Sequence, residues 1–387
     1  MALKIGILGT RGVPNHYGGF EHFAAHLSRG LVANGHQVTV YNSSKHPYQK
    51  KEWHGVRIVH CFDPEYIIGV PGQFIYDLNC ILHARKEKYD IVLMLGYTSS
   101  SVWGFLYPGH STVITNMDGL EWKRTKFSKP VRRFLQYAEK LAIRFSHFHI
   151  ADSPVIKKYI DSRYQIQSKY IAYGAGLYPL TDETQLDTYG LTKNNYFLLM
   201  ARMEPENNIE MVLNGYCLTT TATKFVVIGN TGNGYGSYLA DKYKNDKRIV
   251  FPGPIFDEQI VQSLTSCCSL YFHGHSVGGT NPSLLDAMAA RAPLAVHNNP
   301  FNLSIVKENT LLFSSAPDVC NLINANNFVN TEHIENNYAT IKNQFTWEKI
   351  ISQYENYFLE CCPAARYYPL QPNKVFFIED NIEKKIS

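Results

Sequence analysis

LKIGILGTRGVPNHYGGFEHFAAHLSRGLVANGHQVTVYN, residues 3–42, contains the pattern on which the fold class depends. A short apolar run leads into a glycine-rich loop, and the following residues place Phe23, Leu27 and Leu31 on one face of a helix. Gly35 is expected to end that helix, and the remaining residues alternate as a strand. A strand, a helix and a strand in this order form a βαβ unit, which predicts a parallel sheet with helices on both faces.

The same alternation continues along the chain in two series. The first series, before residue 178, consists of apolar strands with helical or loop segments between them. The second series of strands and helices runs from residue 196 to residue 298. Residues 178–194, between the two series, are polar and rich in turn-forming side chains, so we expect the domain boundary there.

The sequence therefore predicts an N-terminal α/β domain of residues 1–185 and a C-terminal α/β domain of residues 190–345. Residues 346–387 begin with a helical stretch and are expected to complete the first domain. Within them, residues 373–382 are a candidate for one further element.

The charge of the chain is unevenly distributed. Residues 1–178 carry 22 basic and 12 acidic side chains, whereas the rest carries 15 and 21. Eight of the basic residues lie in Trp122–Arg144, together with one acid, Glu139. A solvated helical face and a site for an anionic partner both fit this segment, and its aromatic residues favour a membrane interface. No nucleic-acid-binding motif is present, so nucleic acid is not an expected partner.

The composition is that of a folded, soluble protein. Hydrophobic residues make up 45% and charged residues 18% of the 387 positions. No apolar run approaches the ~20 residues of a membrane-spanning helix, and the start becomes glycine-rich too early for a signal peptide. The eight cysteines form no CxxC pair, so we expect reduced thiols in a cytoplasmic protein.

The glycine-rich loop after the first strand does not match a dinucleotide site. Its glycines at positions 6, 9 and 12 have the wrong spacing, and no acid follows the second strand. Gly18 and Gly19 instead stand directly before a helix, whose N-terminal N–H groups can bind a phosphate. A simple tight turn is the alternative.

A second glycine-rich loop, HGHSVGGTNPSLLDAMA, opens a helix in the second series. Asn281 suits the N-cap and Pro282 the first helical position, while Gly279 and Thr280 let a ligand approach the backbone. Asp286 lies one turn into the helix inside an apolar run, where it can accept two ribose hydroxyls of a nucleotide whose phosphates bind the helix start.

This loop holds no lysine or arginine, so the positive charge must come from elsewhere. Arg202 follows the first strand of the second series, and a guanidinium matches phosphate oxygens well. An ion pair of Arg202 with Glu204 or Glu206 is the alternative. No zinc-protease motif, nucleophile elbow or Walker lysine is present, and no metal site is expected.

With these features in place, the sequence resembles group 1 glycosyltransferases, family 4 of the sequence classification. The resemblance spans roughly residues 4–358 and rests on four motifs in order: GTRGVPNHYGGFE, TNMDGLEWKR, ARMEPENNIE and HGHSVGGTNPSLLDAMA. It implies the GT-B fold, in which two Rossmann-like domains face each other across a cleft. These motifs are more narrowly similar to the rhamnosyltransferase-like branch of bacterial surface polysaccharide synthesis.

The resemblance implies a role for each matching residue. Gly18 and Gly19 would face the donor diphosphate and Arg202 would neutralise it. Gly279, Thr280 and Asn281 would bind the phosphates, and Asp286 would hold the ribose. Asp118 would lie with the polar residues on the acceptor side. The acceptor and membrane side would also include Arg11, Trp122, Lys123 and Arg124.

The sequence also departs from the family pattern. The first glutamate of the E-x7-E motif falls at Gly278, and the lysine that accompanies the arginine falls at Asn207, which leaves one cation rather than two. Met117 replaces the histidine that often precedes the acid at Asp118. We interpret these changes as features of a subtype, with degeneration of the site as the competing explanation.

The expected function is retaining, metal-independent transfer of a hexosyl or deoxyhexosyl group to a hydroxyl of a lipid-linked saccharide. The donor would be a nucleotide-diphosphate sugar, with dTDP-rhamnose as the best candidate. The enzyme would need no cofactor and would act at the anionic inner face of the plasma membrane. A nucleotide-sugar 2-epimerase and a catalytically silent sugar-nucleotide-binding protein are the alternatives.

Overall fold

The computed structural model describes residues 2–16, 18–177, 183–255 and 257–367, with side chains described up to residue 362. The chain divides into two compact units. Residues 178–182 of the expected boundary, and the expected further element at 373–382, lie outside the described residues.

In its described residues, the first unit contains eight strands and five helices before the boundary. The strands are β1 Lys4–Leu8, β2 Gln37–Ser43, β3 Glu52–Trp53, β4 Val56–Cys61, β5 Ile91–Leu95, β6 Thr112–Asn116, β7 Phe148–Ala151 and β8 Lys169–Tyr170. The helices are α1 Gly19–Ala33, α2 Glu65–Ile68, α3 Pro71–Ala84, α4 Lys129–Phe145 and α5 Pro154–Tyr164.

These strands form one sheet in the order β3-β4-β2-β1-β5-β6-β7-β8. The neighbours are parallel, apart from the short antiparallel pair of β3 and β4. The chain order reverses between β1 and β5, so the loops that follow these two strands diverge at one edge. The predicted βαβ unit is confirmed: α1 ends at Ala33, and Gly35 has a φ of 89°.

In its described residues, the second unit contains six strands and seven helices. The strands are β9 Tyr196–Met200, β10 Lys224–Ile228, β11 Ile249–Gly253, β12 Leu270–His273, β13 Leu294–His297 and β14 Leu311–Phe313. The helices are α6 Ile209–Cys217, α7 Gly234–Tyr243, α8 Glu258–Ser266, α9 Pro282–Ala289, α10 Pro300–Val306, α11 Ala316–Ala325 and α12 Thr331–Thr340.

The sheet of the second unit has the order β11-β10-β9-β12-β13-β14, and its neighbours are all parallel. Here the chain order reverses between β9 and β12. Aromatic rings fill the core on one side of this sheet: Phe225 lies 5.4 Å from Phe272 and 5.2 Å from Tyr216, centroid to centroid. The predicted fold class, two α/β units each built on a parallel sheet, is confirmed.

The last described helix, α13 Trp347–Tyr367, belongs to the first unit and packs on α1. The Trp347 ring stacks on His26 at 4.2 Å, and Tyr354 contacts Phe23 at 5.2 Å between centroids. A Cβ at Gly30 would lie 2.4 Å from the Ile351 side chain, so glycine permits this close approach.

Candidate active site

The carboxyl edge of β9 and β12 is where the second unit gathers its polar loops. Phe197 of β9 pairs with Leu270 of β12, and after the strands end their loops separate. In open α/β sheets, such a reversal of strand order forms the crevice in which ligands bind. Arg202 follows β9, and the glycine-rich loop 274–281 follows β12, so both candidate phosphate-binding segments lie at this edge.

Backbone and side-chain hydrogen bonds lock these two loops together. The Ser276 amide and hydroxyl donate to the Glu206 carbonyl oxygen at 3.0 and 2.8 Å. The Asn208 side-chain amide donates to the Gly274 carbonyl oxygen at 2.8 Å. A Cβ at Gly274 would lie only 2.2 Å from the Asn207 carbonyl oxygen, so this contact requires glycine. The Arg202 loop and the glycine-rich loop therefore form one assembly.

The start of α9 has the capping geometry that the sequence predicts. Asn281 has extended backbone angles, and its Oδ1 accepts a hydrogen bond from the Ser283 amide at 3.1 Å. Pro282 occupies the first helical turn, which confirms the prediction for both residues. The Ser283 hydroxyl also donates to Oδ1, which fixes the amide group, and its Nδ2 is the side-chain donor that can reach an anion.

The residues around this helix start differ in exposure. Gly278 has a φ of 150°, which favours glycine, and Thr280 is buried. Asp286 is half-buried between the fully buried Leu285 and Ala287, one turn after Pro282. The structure therefore brings Gly279, Thr280, Asn281 and Asp286 to one helix start, at the edge that Arg202 also occupies.

The Arg202 side chain is exposed, and the acids next to it in the chain have other partners. Glu204 forms ion pairs with Lys126 at 2.7 Å and with Arg124 at 3.4 Å. Burial raises the pKa of Glu204, but Arg202, Lys126 and Arg124 together shift it below its ordinary value. Glu204 is thus a carboxylate shared by several cations, rather than the dedicated partner of Arg202.

Residues 123–128 belong to the second unit, although the residues on either side of them belong to the first. Besides its ion pair with Glu204, Arg124 lies 3.8 Å from a carboxylate oxygen of the buried Glu206. Thr125 donates to the other oxygen of Glu206 at 3.4 Å. Arg124, which we expected on the acceptor and membrane side, thus lies against the loop that carries Arg202, and Lys123, expected on the same side, belongs to the same unit as that loop.

Two histidines at this edge are kept neutral. The rings of His273 and His275 stack with centroids 4.3 Å apart. Burial, together with the neighbouring His275 and His297, holds the pKa of His273 well below its ordinary value. Burial, followed by Arg202 and Arg124, lowers the pKa of His275 to about 3. The two guanidinium groups therefore act on the same imidazole.

In the first unit, Gly18 is the N-cap of α1 and Gly19 its first residue, so the pair lies at the helix start, and Glu21 organises the loop before it. The Glu21 carboxylate is buried and accepts from the Arg11 amide at 2.8 Å and the Thr10 hydroxyl at 3.2 Å. A Cβ at Gly18 would lie 2.6 Å from Glu21 Oε2. Glu21 therefore has a structural role in this motif, and the glycine leaves room for its carboxylate.

Arg11, predicted for the acceptor side, pairs in a fork with Glu65. Its Nε and Nη2 donate to the two carboxylate oxygens of Glu65 at 3.1 and 2.6 Å. Asp118 follows β6, where it has a φ of 49° and its amide donates to Asn116 Oδ1 at 3.0 Å. A positive φ is uncommon for a residue other than glycine and often marks a functional position.

Trp122 is held by the single acid of the basic segment. Its indole N–H donates to Glu139 at 3.2 Å, and the hydroxyls of Tyr159 and Tyr164 donate to the same carboxylate at 2.9 and 2.5 Å. Glu139 is only 1% exposed. Burial raises its pKa despite these hydrogen bonds. The one negative charge of the segment therefore points inward.

Comparisons with known proteins agree with this architecture. Residues 182–333 match the family model "Glycosyl transferases group 1", and residues 3–176 match a domain of unknown function, DUF1972. The second unit therefore contains a group 1 glycosyltransferase domain. The chain is a glycosyltransferase of the GT-B fold.

Solved structures share this fold at low sequence identity. Sucrose-phosphate synthase from Thermosynechococcus elongatus is 16% identical with a TM-score of 0.77, covering 94% of this chain and 100% of that chain. Anabaena HepE in complex with UDP-glucose is 16% identical with a TM-score of 0.71, covering 92% and 100%. Trehalose 6-phosphate synthase from Burkholderia multivorans is 9% identical with a TM-score of 0.69, covering 95% and 98%. No curated protein matches the chain.

Membrane-spanning helices and metal-binding clusters are both absent from the described residues. No helix there has the length and apolar character needed to cross a bilayer. No group of three or more His, Cys, Asp or Glu side chains in that part of the chain is arranged to hold a metal ion.

Sequence reasoning missed several residues of this glycosyltransferase. Thr125 and the buried Asp77 were not singled out, Glu206 was considered only as an ion-pair partner of Arg202, and Glu65 was not recognised as the partner of Arg11. Glu206 lies in the ARMEPENNIE motif, so its position in a motif was the available signal. Nothing in the sequence pattern indicated that residues 123–128 would pair with it.

Proposed function

We propose that this glycosyltransferase moves a hexosyl or deoxyhexosyl group from a nucleotide-diphosphate sugar to a hydroxyl of a lipid-linked saccharide, with retention of anomeric configuration. The favoured donor is dTDP-rhamnose, in the synthesis of a bacterial surface polysaccharide. One observation carries the proposal: the exposed Arg202, the start of α9 and Asp286 lie at the same edge of β9 and β12. The HepE structure with UDP-glucose supports the class of donor.

Departure of the nucleoside diphosphate is the step that requires the most stabilisation, because negative charge develops on the leaving oxygen. In the proposal, Arg202 and the N–H groups at the start of α9 stabilise that charge where it forms. The Asn281 Nδ2 group adds a side-chain donor at the same helix start. Asp286, one turn further along the helix, accepts the two ribose hydroxyls.

Arg124 supplies the second positive charge in this proposal. Asn207, at the family's lysine position, is buried, and its side-chain amide donates to the Arg202 carbonyl oxygen at 2.7 Å. Asn207 therefore shapes the loop and carries no charge. Arg124 is tied to that loop through Glu204 and Glu206, and with Arg202 it acts on His275. The Arg124 guanidinium thus takes the place of the lysine that is absent at position 207.

In a retaining front-face reaction, the departing phosphate oxygen accepts the proton of the acceptor hydroxyl, so no separate base is required. Arginine and helix N–H groups provide the charge stabilisation that a divalent cation gives in other enzymes. Asp118 orients the acceptor or the donor sugar. We therefore propose that the reaction needs no metal.

The test is a transfer assay with lipid-linked saccharide acceptors and dTDP-, UDP- and GDP-linked sugars, run with and without EDTA. The proposal expects a glycolipid product from one donor, an unchanged rate in EDTA, and an NMR coupling constant that shows retention. Epimerised nucleotide sugar formed without acceptor would instead indicate a 2-epimerase. Loss of activity in EDTA, restored by Mg²⁺, would contradict the metal-free mechanism.

A further inference from the structure

An exposed apolar turn stands out on the first unit. Residues 66–71, with the sequence YIIGVP, are six consecutive exposed positions without a charged side chain. Tyr66, Ile67 and Val70 are 56%, 65% and 70% exposed. Contiguous apolar surface of this kind is rare on soluble proteins and marks an interaction site. We call residues 66–71 the apolar tip.

The apolar tip is an ordered structure that projects these side chains outward. The amides of Ile67 and Ile68 donate to the Pro64 carbonyl oxygen at 2.8 and 3.0 Å. Gly69 has a φ of 68° and reverses the chain between α2 and α3. A Cβ at Gly72 would lie 2.4 Å from the Glu65 amide nitrogen, so α2 packs directly against the start of α3. The backbone conformation of the turn therefore holds these side chains in an exposed position.

Further apolar side chains connect the tip to α4. Phe62 is 54% exposed, and its carbonyl oxygen accepts from Asn79 on α3 at 2.9 Å. Ile75, on the first turns of α3, is also exposed. Its neighbour Phe74 contacts Phe134 of α4, with ring centroids 5.8 Å apart. The apolar surface thus runs from the tip along α3 to the basic helix.

The outward charge of α4 is of one sign. The helix carries five basic residues and one acid: Lys129, Arg132, Arg133, Lys140, Arg144 and Glu139. Because Glu139 is buried and hydrogen-bonded to Tyr159 and Tyr164, it does not offset those cations at the surface. Val131 and Tyr137 are exposed among them. Exposed apolar side chains close to basic ones match the interface of an anionic bilayer.

We propose that the apolar tip inserts into the headgroup region of an anionic membrane while α4 contacts the lipid phosphates. The inference rests on the proposed function, since a lipid-linked acceptor is met at a membrane. It deepens that function by locating the contact at residues 62–75 and at α4. The charge favours lipid over a protein partner, because the basic face beside the tip complements a phosphate surface that is negative throughout.

The experiment measures binding of the full-length chain to vesicles of phosphatidylcholine alone or mixed with phosphatidylglycerol. The double variant Ile67→Glu/Ile68→Glu is compared with Leu218→Glu/Val329→Glu, which alters two similarly exposed apolar residues of the second unit. The proposal expects the tip variant to lose about tenfold or more in affinity for the anionic vesicles, because buried apolar area drives insertion. The control variant should bind like the wild type.

A second pair of variants tests the charge. Arg133→Glu, on α4, should weaken binding to anionic vesicles and reduce its dependence on salt. Lys244→Glu, an exposed lysine of the second unit, should not. Equal binding of neutral and anionic vesicles would overturn the proposal, as would wild-type binding by the tip variant.

Two further measurements keep the result interpretable. Sedimentation velocity distinguishes a lipid surface from a second copy of the chain: self-association that the tip variant abolishes, without vesicle binding, would overturn the inference. Nucleotide binding in solution and the unfolding temperature should be unchanged in the tip variant. Failure of the membrane contact would thus be separated from failure of the proposed donor site.

Discussion

At the scale of single residues, the proposed site depends on how charges are shared. Arg202, Arg124 and Lys126 are accompanied by Glu204 and Glu206, so the formal charges of these five side chains sum to only +1. The neutral His275 beside them adds no positive charge to attract an incoming diphosphate. Substitutions of these residues therefore separate phosphate binding from local structure.

Arg124→Ala is expected to weaken binding of a nucleoside diphosphate about tenfold, in line with the loss of one charge-assisted phosphate contact. Binding of the nucleoside without phosphates should not change. Lys126→Ala is the matched control, because Lys126 pairs with the same Glu204 but is exposed. Calorimetry on both variants checks this, and an equal loss in the control would show that Arg124 acts only through the ion-pair network.

Asp77 in the first unit should make stability depend on pH. Burial raises the pKa of Asp77 to about 7, although Ser99 donates to its carboxylate at 2.5 Å. The unfolded chain ionises this group near its ordinary pKa of about 4, so between pH 4 and 7 the folded state binds more protons. Stability contributed by Asp77 is therefore lost as pH rises through that range.

Asp77→Asn removes this titration. The difference in unfolding free energy between variant and wild type should move in favour of the variant as pH rises from 4 to 7, by up to about 4 kcal/mol. Urea unfolding at several pH values measures it. A difference that stays constant across the range would show that Asp77 keeps an ordinary pKa.

At the scale of elements, much of the fold could be predicted because it follows local patterns. The first βαβ unit, the end of α1 near Gly35 and the Asn281-Pro282 start of α9 each depend on neighbouring residues. The alternation of apolar and polar residues in β2 predicted a strand but not its burial on both faces. Its residues from Val38 to Ser43 are all buried, since the strand lies between β1 and β4.

The features that sequence reasoning missed depend on distant partners. Arg124 meets Glu204 across 80 positions of the chain, and Arg11 meets Glu65 across 54. Pairs so far apart in the chain leave no periodic pattern in the sequence. The apolar tip was visible as YIIGVP, but only its exposure distinguishes it from a buried strand or helix segment. Local patterns thus predicted elements, and tertiary contacts assembled the site.

The contact of Gly274 with Asn207 gives a prediction for the two phosphate-binding loops. Gly274→Ala would place a Cβ 2.2 Å from a backbone oxygen, so one loop must move. We expect a destabilisation of about 1–3 kcal/mol, together with weaker nucleotide binding. Gly234→Ala is the control, because nothing lies within 4 Å of the added Cβ. Unchanged unfolding and binding in Gly274→Ala would show that the loops are not locked.

At the scale of the whole molecule, both units are built on the same plan. Each has a sheet whose strand order reverses once, between β1 and β5 in the first unit and between β9 and β12 in the second. Each places a glycine-containing loop and a helix start after the strand at which the reversal occurs. In the second unit, these features coincide with the group 1 glycosyltransferase match.

The central claim is that this edge of the second unit binds a nucleoside diphosphate through Arg202 and the start of α9. Isothermal calorimetry with dTDP, UDP, GDP and NAD tests it most directly, on the wild type, Arg202→Ala, Asp286→Ala and the exposed control Lys307→Ala. We expect saturable binding of one nucleoside diphosphate to the wild type, reduced tenfold or more in Arg202→Ala and Asp286→Ala and retained in Lys307→Ala. Binding of NAD alone, or nucleoside diphosphate binding that neither variant weakens, would contradict it.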